Sequence, residues 1–226
     1  MRFKHIITTV LASIVSLSAS SQTGRPAVIP SAIYIDDKGV ETETTSNFMG
    51  QAPLSVSFRA NPSNVEGYDP TYEWHFRYEG ENKDFMVRYE ENTEYTFTKA
   101  GSTYVTLYFR LDNALDSDSA TIKVTVSESK LLMPNAFSPN GDRYNEEYKA
   151  KEYQSIVEFR AYIFNRWGQK LFEWTDPSKG WDGTYKGKPV KEGVYFVVVK
   201  ARGADGIVYN IRKDVNLLRG HAGSEE

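Results

Sequence analysis

The chain has 226 residues, with 27 Lys and Arg, 30 Asp and Glu, no cysteine and a formal net charge of −3. That length suits one large domain or two small ones. The lack of cysteine excludes disulfides, a cysteine-linked lipid anchor and thiolate chemistry, so stability must come from an apolar core.

Residues 1–21 read as a secretory signal peptide. Arg2 and Lys4 form a basic start, Ile6–Leu17 is apolar, and small residues at Ala19-Ser20-Ser21 precede Gln22. The apolar run is shorter than the ~20 residues that a membrane span needs. Beyond it, residues 22–129 carry 9 basic and 17 acidic side chains (−8), while residues 130–226 carry 16 and 13 (+3). Two differently charged halves suggest a boundary near Ser129. Neither half is basic enough for a nucleic-acid footprint, so nucleic acid is not an expected partner.

Residues 22–30 are expected to be a linker, with Pro26 and Pro30 around a short apolar patch. Short strands follow. Ala32–Ile35 is a first strand, and Glu41–Ser46 is an exposed loop or edge strand. Leu54, Val56 and Phe58 alternate with Ser55, Ser57 and Arg59, the period-two pattern of a strand with one buried face. Tyr72, Trp74 and Phe76 share a face. Phe85–Tyr89, Tyr95–Phe97, Thr103–Leu111 and Thr121–Ser127 complete the set. No stretch has a helical period. Seven or eight such strands suggest an immunoglobulin-like sandwich over 31–128.

Ser127–Lys130 is a short polar linker, and a second all-β set occupies 131–220. Val157, Phe159, Ala161 and Ile163 alternate with polar or larger neighbours. Leu171–Trp174, Val194–Ala201 and Ile207–Leu218 are further strands. Asn165-Arg166-Trp167-Gly168 and Ala204-Asp205-Gly206 are hairpin turns. Val194–Val199 has no polar residue, which predicts burial on both faces. Residues 221–226 form a small charged tail. The fold class is therefore all-β, two tandem immunoglobulin-like β-sandwich domains after a signal peptide.

Two resemblances follow from these residues. Ala52–Phe58, Tyr72–Phe76, Tyr95–Phe109 and Ser119–Val126 resemble a PKD domain, a sandwich module of surface proteins. The second half resembles the gliding-motility-associated C-terminal domain, the type B sorting domain of the type IX secretion system of Bacteroidetes. The residues that carry this are Pro134, Asn135, Phe137, Pro139, Asn140, Gly141 and Asp142, then Asn165, Arg166, Trp167 and Gly168. Gly180, Trp181, Asp182, Gly183, Gly187, Pro189, Gly193 and Tyr195 follow in family order. The resemblance implies export to the cell surface or beyond, with the type IX translocon and an outer-membrane protein as partners. If the host lacks that system, the protein stays periplasmic.

Catalysis finds few candidates. His5 falls in the signal and His221 in the tail, which leaves His75 on a strand. No Cys–His pair or histidine-rich zinc spacing exists. Paired carboxylates such as Asp36-Asp37 and Glu90-Glu91 are adjacent in sequence, so on a strand they point to opposite faces. The chain is not expected to be an enzyme, and no cofactor is expected. Asn140, Asp142 and Asn145 surround a glycine and can either wrap Ca²⁺ or close a turn by bonding the local backbone. Tyr72 and Tyr78 are candidates for a ligand face. The expected function is a non-enzymatic secreted or cell-surface protein whose first domain makes structural or adhesive contacts with protein or glycan. The alternatives are a carbohydrate-binding module and an accessory subunit of an outer-membrane or gliding-motility complex.

Overall fold

Alternating side chains and frequent turn residues leave this sequence only one economical way to bury its apolar surface, which is to stack pleated sheets. The computed structural model describes residues 25–112 and 117–219, and these contain strands and no helix. The expected signal peptide, residues 1–21, and the expected tail, residues 221–226, lie outside the described residues.

The first unit contains β1 (Ala27–Val28), β2 (Ser31–Ile35), β3 (Glu41–Thr44), β4 (Phe48–Gly50), β5 (Leu54–Arg59) and β6 (Pro62–Ser63). It continues with β7 (Pro70–Tyr78), β8 (Met86–Arg88), β9 (Asn92–Phe97), β10 (Gly101–Leu111) and β11 (Ser117–Val126). One sheet has the order β3-β2-β5-β9 and the other β4-β11-β10-β7-β8. Their inward faces meet through aromatic rings. Phe58 lies 5.7 Å from Trp74, 5.8 Å from Phe76 and 6.4 Å from Phe97, centroid to centroid. Each buried side chain of this size contributes about 1.5–3 kcal/mol relative to exposure. The Trp74 indole N–H is satisfied by the carbonyls of Glu90 and Glu91. The outward faces carry hydroxyl pairs across the strands, such as Thr106 with Thr121 at 2.9 Å. Glu41–Thr44 is an edge strand, where its charged side chains discourage further pairing.

The second unit contains β12 (Lys130–Leu132), β13 (Ala136–Phe137), β14 (Glu152–Gln154), β15 (Ile156–Phe164) and β16 (Lys170–Trp174). It ends with β17 (Thr184–Tyr185), β18 (Lys188–Pro189), β19 (Gly193–Gly203) and β20 (Val208–Leu217). Its main sheet has the order β13-β20-β19-β15-β16. The opposing layer is made of short pieces: the β12–β14 and β17–β18 ladders and a bridge between Tyr148 and Trp181. Glycine, proline and asparagine punctuate that layer too often for long strands.

Three expectations are corrected. Val194–Val199 is not buried on both faces. Tyr195, Val197 and Val199 face the core, whereas Val194 is 50% and Phe196 45% exposed. The short-stranded layer covers only one side of the main sheet, so the other side of this apolar strand meets solvent. Residues 22–30 are not simply a linker, because Ala27–Val28 pairs with Pro62–Ser63 and Val28 is buried in the first core. Residues 127–130 are not a free tether either, since their serines are bonded into both units.

That junction is dense. The Ser129 backbone N–H and hydroxyl both donate to the Asp205 carboxylate at 2.8 Å. The Ser155 hydroxyl accepts from the Ala52 N–H at 3.2 Å and pairs with the Ser127 hydroxyl at 2.8 Å. The Ala100 N–H donates to the Ala204 carbonyl at 2.9 Å. Ala204 and Val157, both from the second unit, pack against the first core. A β-bulge between Ile156 and Glu158 breaks the strand alternation at Val157. A Cβ added at Gly203 would fall 2.0 Å from the Ser129 hydroxyl oxygen and 2.3 Å from its Cβ, so only glycine fits.

Burial works to raise the pKa of Asp205, but the N–H groups of Ser129 and Ile207 and the Ser129 hydroxyl outweigh it and hold the carboxyl below the usual aspartate range. A depressed carboxyl stabilises the fold above its unfolded pKa, about 3.9, and that contribution is lost as pH falls through the lower folded value. Asp205→Ala should therefore weaken the junction by about 1.5–3 kcal/mol, the range for hydrogen bonds to a charged group. Limited proteolysis after Lys130 measures it. Cleavage should be faster in the variant at pH 7, and the difference from wild type should shrink below about pH 4.

Candidate functional site

The motif residues of the second unit fall into two groups. The first is a packed aromatic cluster. Trp181 is fully buried and lies 5.4 Å from Phe137 and 5.0 Å from Tyr195. Its indole N–H donates to the Thr184 carbonyl at 2.7 Å, and its backbone exchanges both hydrogen bonds with Tyr148. Tyr148 is also fully buried, and its hydroxyl donates to the Pro134 carbonyl. Burial, with a smaller push from Asp214, raises the Tyr148 phenol well above its ordinary pKa, so it stays protonated.

Backbone demands explain the glycines beside Trp181. A Cβ at Gly180 would lie 2.5 Å from the Tyr148 carbonyl oxygen, which rules out any side chain. Gly183 has φ +77, and its neighbour Asp182 accepts from the Thr184 N–H and hydroxyl through one oxygen, closing the turn. Arg219 ties this end together by donating to the carbonyls of Pro139 and Gly183. Asn135 receives a hydrogen bond from the Lys213 ammonium.

Asn140, Gly141 and Asp142 form an exposed turn on the same side. The Asn140 side-chain oxygen accepts from the Asp142 N–H, and Asp142 accepts from the Tyr144 N–H at 2.7 Å and from the Asn140 amide at 3.0 Å. These bonds, the Tyr144 N–H first, hold the Asp142 carboxyl below its usual pKa. Asn145 has φ 52 and its carbonyl accepts from the Ser138 N–H. Among the described residues no group of three or more His, Asp or Glu side chains is placed to hold a metal ion.

The second group lies at the end of the main sheet away from the junction. Asn165 organises the β15–β16 hairpin, its side-chain oxygen accepting from the N–H groups of Trp167 and Gln169. Gly168 takes φ +77. Lys186 and Gly187 both have positive φ between β17 and β18, the demand of a two-residue hairpin, and Pro189 closes that ladder. Gly193 opens β19 at φ +137. Arg166 and Trp167 stand out from this end, next to Tyr185.

In the first unit the proposed ligand face does not form. Tyr72 is 8% exposed and packs on Phe109 inside the sandwich, because it shares the inward register of Trp74 and Phe76. Burial, then the Glu91 charge, raises its pKa. Tyr78 is half-buried, stacked on Phe85 at 4.3 Å with the Lys99 ammonium 4.1 Å from its ring. His75 has both ring nitrogens against carboxylates, Asp84 at 2.7 Å and Glu73 at 3.2 Å. Sequence reasoning placed Tyr185 among the matching motif residues without giving it a role, and did not single out Tyr148 or Arg219. Aromatic residues at 148 and 185 inside the motif blocks were the available signal. For Arg219 there was none.

The class that emerges is an all-β protein of tandem immunoglobulin-like units, the second of which is similar to a secretion signal domain. Residues 131–210 match the family described as CHU_C Type IX secretion signal domain. A signal of that type implies export out of the cell. No curated protein matches the chain. Among solved structures, the chain is similar to SGBP-B of the Bacteroides ovatus mixed-linkage glucan utilization locus, determined with a mixed-linkage heptasaccharide. Identity there is 14% and the TM-score 0.30, covering 86% of this chain and 48% of that one. It is also similar to dimeric latent PorU from Porphyromonas gingivalis, at 13% identity and TM-score 0.27, over 92% and 22% of the two chains. A third likeness is to the fibronectin(III)-like modules of Clostridium thermocellum CbhA, at 13% identity and TM-score 0.25, over 80% and 92%. The chain thus spans less than half the length of the first two of these structures.

The two groups should respond differently to mutation. Trp181→Ala should cost about 3–5 kcal/mol, the range for deleting a buried large aromatic. Trp167→Ala should stay within about 0.5 kcal/mol, as for an exposed side chain outside the packing. Chemical denaturation followed by circular dichroism separates the two outcomes.

Proposed function

We propose that this chain is non-catalytic cargo of the type IX system. The second unit is recognised in its folded form at the outer membrane, and the first unit makes protein contacts outside the cell. The match at 131–210 carries this reading. It is supported by where the motif residues sit. Phe137, Trp181, Gly183 and Tyr195 come from three separate stretches of chain and pack together only when the unit is folded. A signal built this way is a shape, not a linear tag.

The first unit contributes a rigid sandwich with a hydroxyl-rich outer face and an acidic balance. With Tyr72 inside the sandwich and Tyr78 half-buried against Phe85, these two rings form no platform for stacking a sugar. Contacts of protein with protein suit such a surface better.

The reading is tested in the native host by protease added to intact cells. Full-length protein should be digested from outside. A version ending at Ser129 should stay protected until the outer membrane is opened. Trp181→Ala, which removes the ring at the centre of the second core while leaving the chain length unchanged, should behave like the truncation. Equal protection of all three would overturn the proposal.

A further inference from the structure

The four tryptophans of this chain divide sharply. Trp74, Trp174 and Trp181 are buried, while Trp167 is 79% exposed. The turn that carries it does not require an indole. It is held by the Asn165 side chain and by the positive φ of Gly168. A large ring left in water at such a position forgoes the burial that usually accompanies an aromatic.

Beside Trp167 lies a cleft of about 260 Å³, between the β15–β16 hairpin and the approach to β19. Trp167, Tyr185, Arg166, Lys191 and Gln169 line it, and Glu192 is the single carboxylate in its lining. The Arg166 guanidinium lies 5.0 Å from the Trp167 ring centre, and the Lys186 ammonium 5.3 Å from that of Tyr185. Among the described residues, Arg166, Lys186 and Lys191 make no ion pair. The remaining polar groups are pre-set. The Gln169 amide donates to the Tyr185 hydroxyl at 3.1 Å, which leaves the phenol proton free to donate outward.

We propose that this cleft binds an acidic pyranose, a uronate residue of a polysaccharide. The apolar C–H face of the sugar stacks on the Trp167 indole. The sugar carboxylate pairs with the Arg166 fork or the Lys191 ammonium, in the charge-assisted geometry that guanidinium favours. Tyr185 donates to a ring hydroxyl. A sugar fits better than an acidic peptide, because the flat face of the exposed Trp167 indole matches a pyranose ring while the cations beside it take the carboxylate. The inference stands apart from the export reading. It concerns what the exposed end of the second unit holds, whatever carries the protein across the membrane.

Acrylamide quenching tests it directly, because Trp167 is the one tryptophan open to the quencher. The purified chain is titrated with hexamers of galacturonate and of mannuronate and with a hyaluronan hexasaccharide. Cellohexaose and poly-L-glutamate serve as neutral and charge-only controls. At least one uronate oligomer should protect Trp167 saturably, with a midpoint between about 10 μM and 1 mM, and neither control should. By calorimetry, Trp167→Ala and Arg166→Ala should each weaken that binding at least about tenfold, with circular dichroism unchanged. The proposal is overturned if no uronate protects, if poly-L-glutamate protects as well, or if both variants bind like the parent.

Discussion

One carboxylate, that of Asp205, sets how the two halves of this molecule relate. It accepts from the backbone and the side chain of Ser129 at the point where the chain leaves the first sandwich. Around it the fit is close enough that Gly203 tolerates no Cβ and Ala204 closes the first core from outside. Ser155 reaches from the second unit to the Ala52 N–H, and its φ of 46 shows the backbone bent to bring it there. The charge difference between the halves is therefore carried by surfaces held in a fixed relation. Hydrogen bonds that need one geometry, more than the apolar contact, define that relation.

Within the second unit, the same economy appears at the other scale. A five-stranded sheet is covered on one side by a layer of short ladders and turns. Such a layer cannot rely on regular pairing, so it depends on two large rings, Trp181 and Tyr148, and on the backbone bridge between them. The uncovered side of the sheet keeps Val194 and Phe196 in solvent, bordered by Arg212 and Asp214 on the neighbouring strand.

Much of this was legible in the sequence. Alternation located the long strands, and Asn165-Arg166-Trp167-Gly168 announced its turn because side-chain capping and positive φ are local demands. What failed were readings that depend on partners far away in the chain. The apolar run Val194–Val199 looks the same whether one face is covered or two. Only the shortness of the opposing layer decides it. Tyr72 carries no mark that distinguishes a platform from a core ring, although its shared parity with Trp74 and Phe76 pointed inward. The serines at 127, 129 and 155 resemble any polar linker or turn, and their role exists only when two folded units meet.

That meeting has a mechanical side. The bonds from Ala52 to Ser155 and from Ala100 to Ala204 leave two different places on the first unit, and the bond from Ser129 to Asp205 leaves the chain just beyond it. Tension applied between the two ends of the molecule would load them in parallel instead of one after another. The chain between the sandwiches then acts less as a tether than as a welded joint.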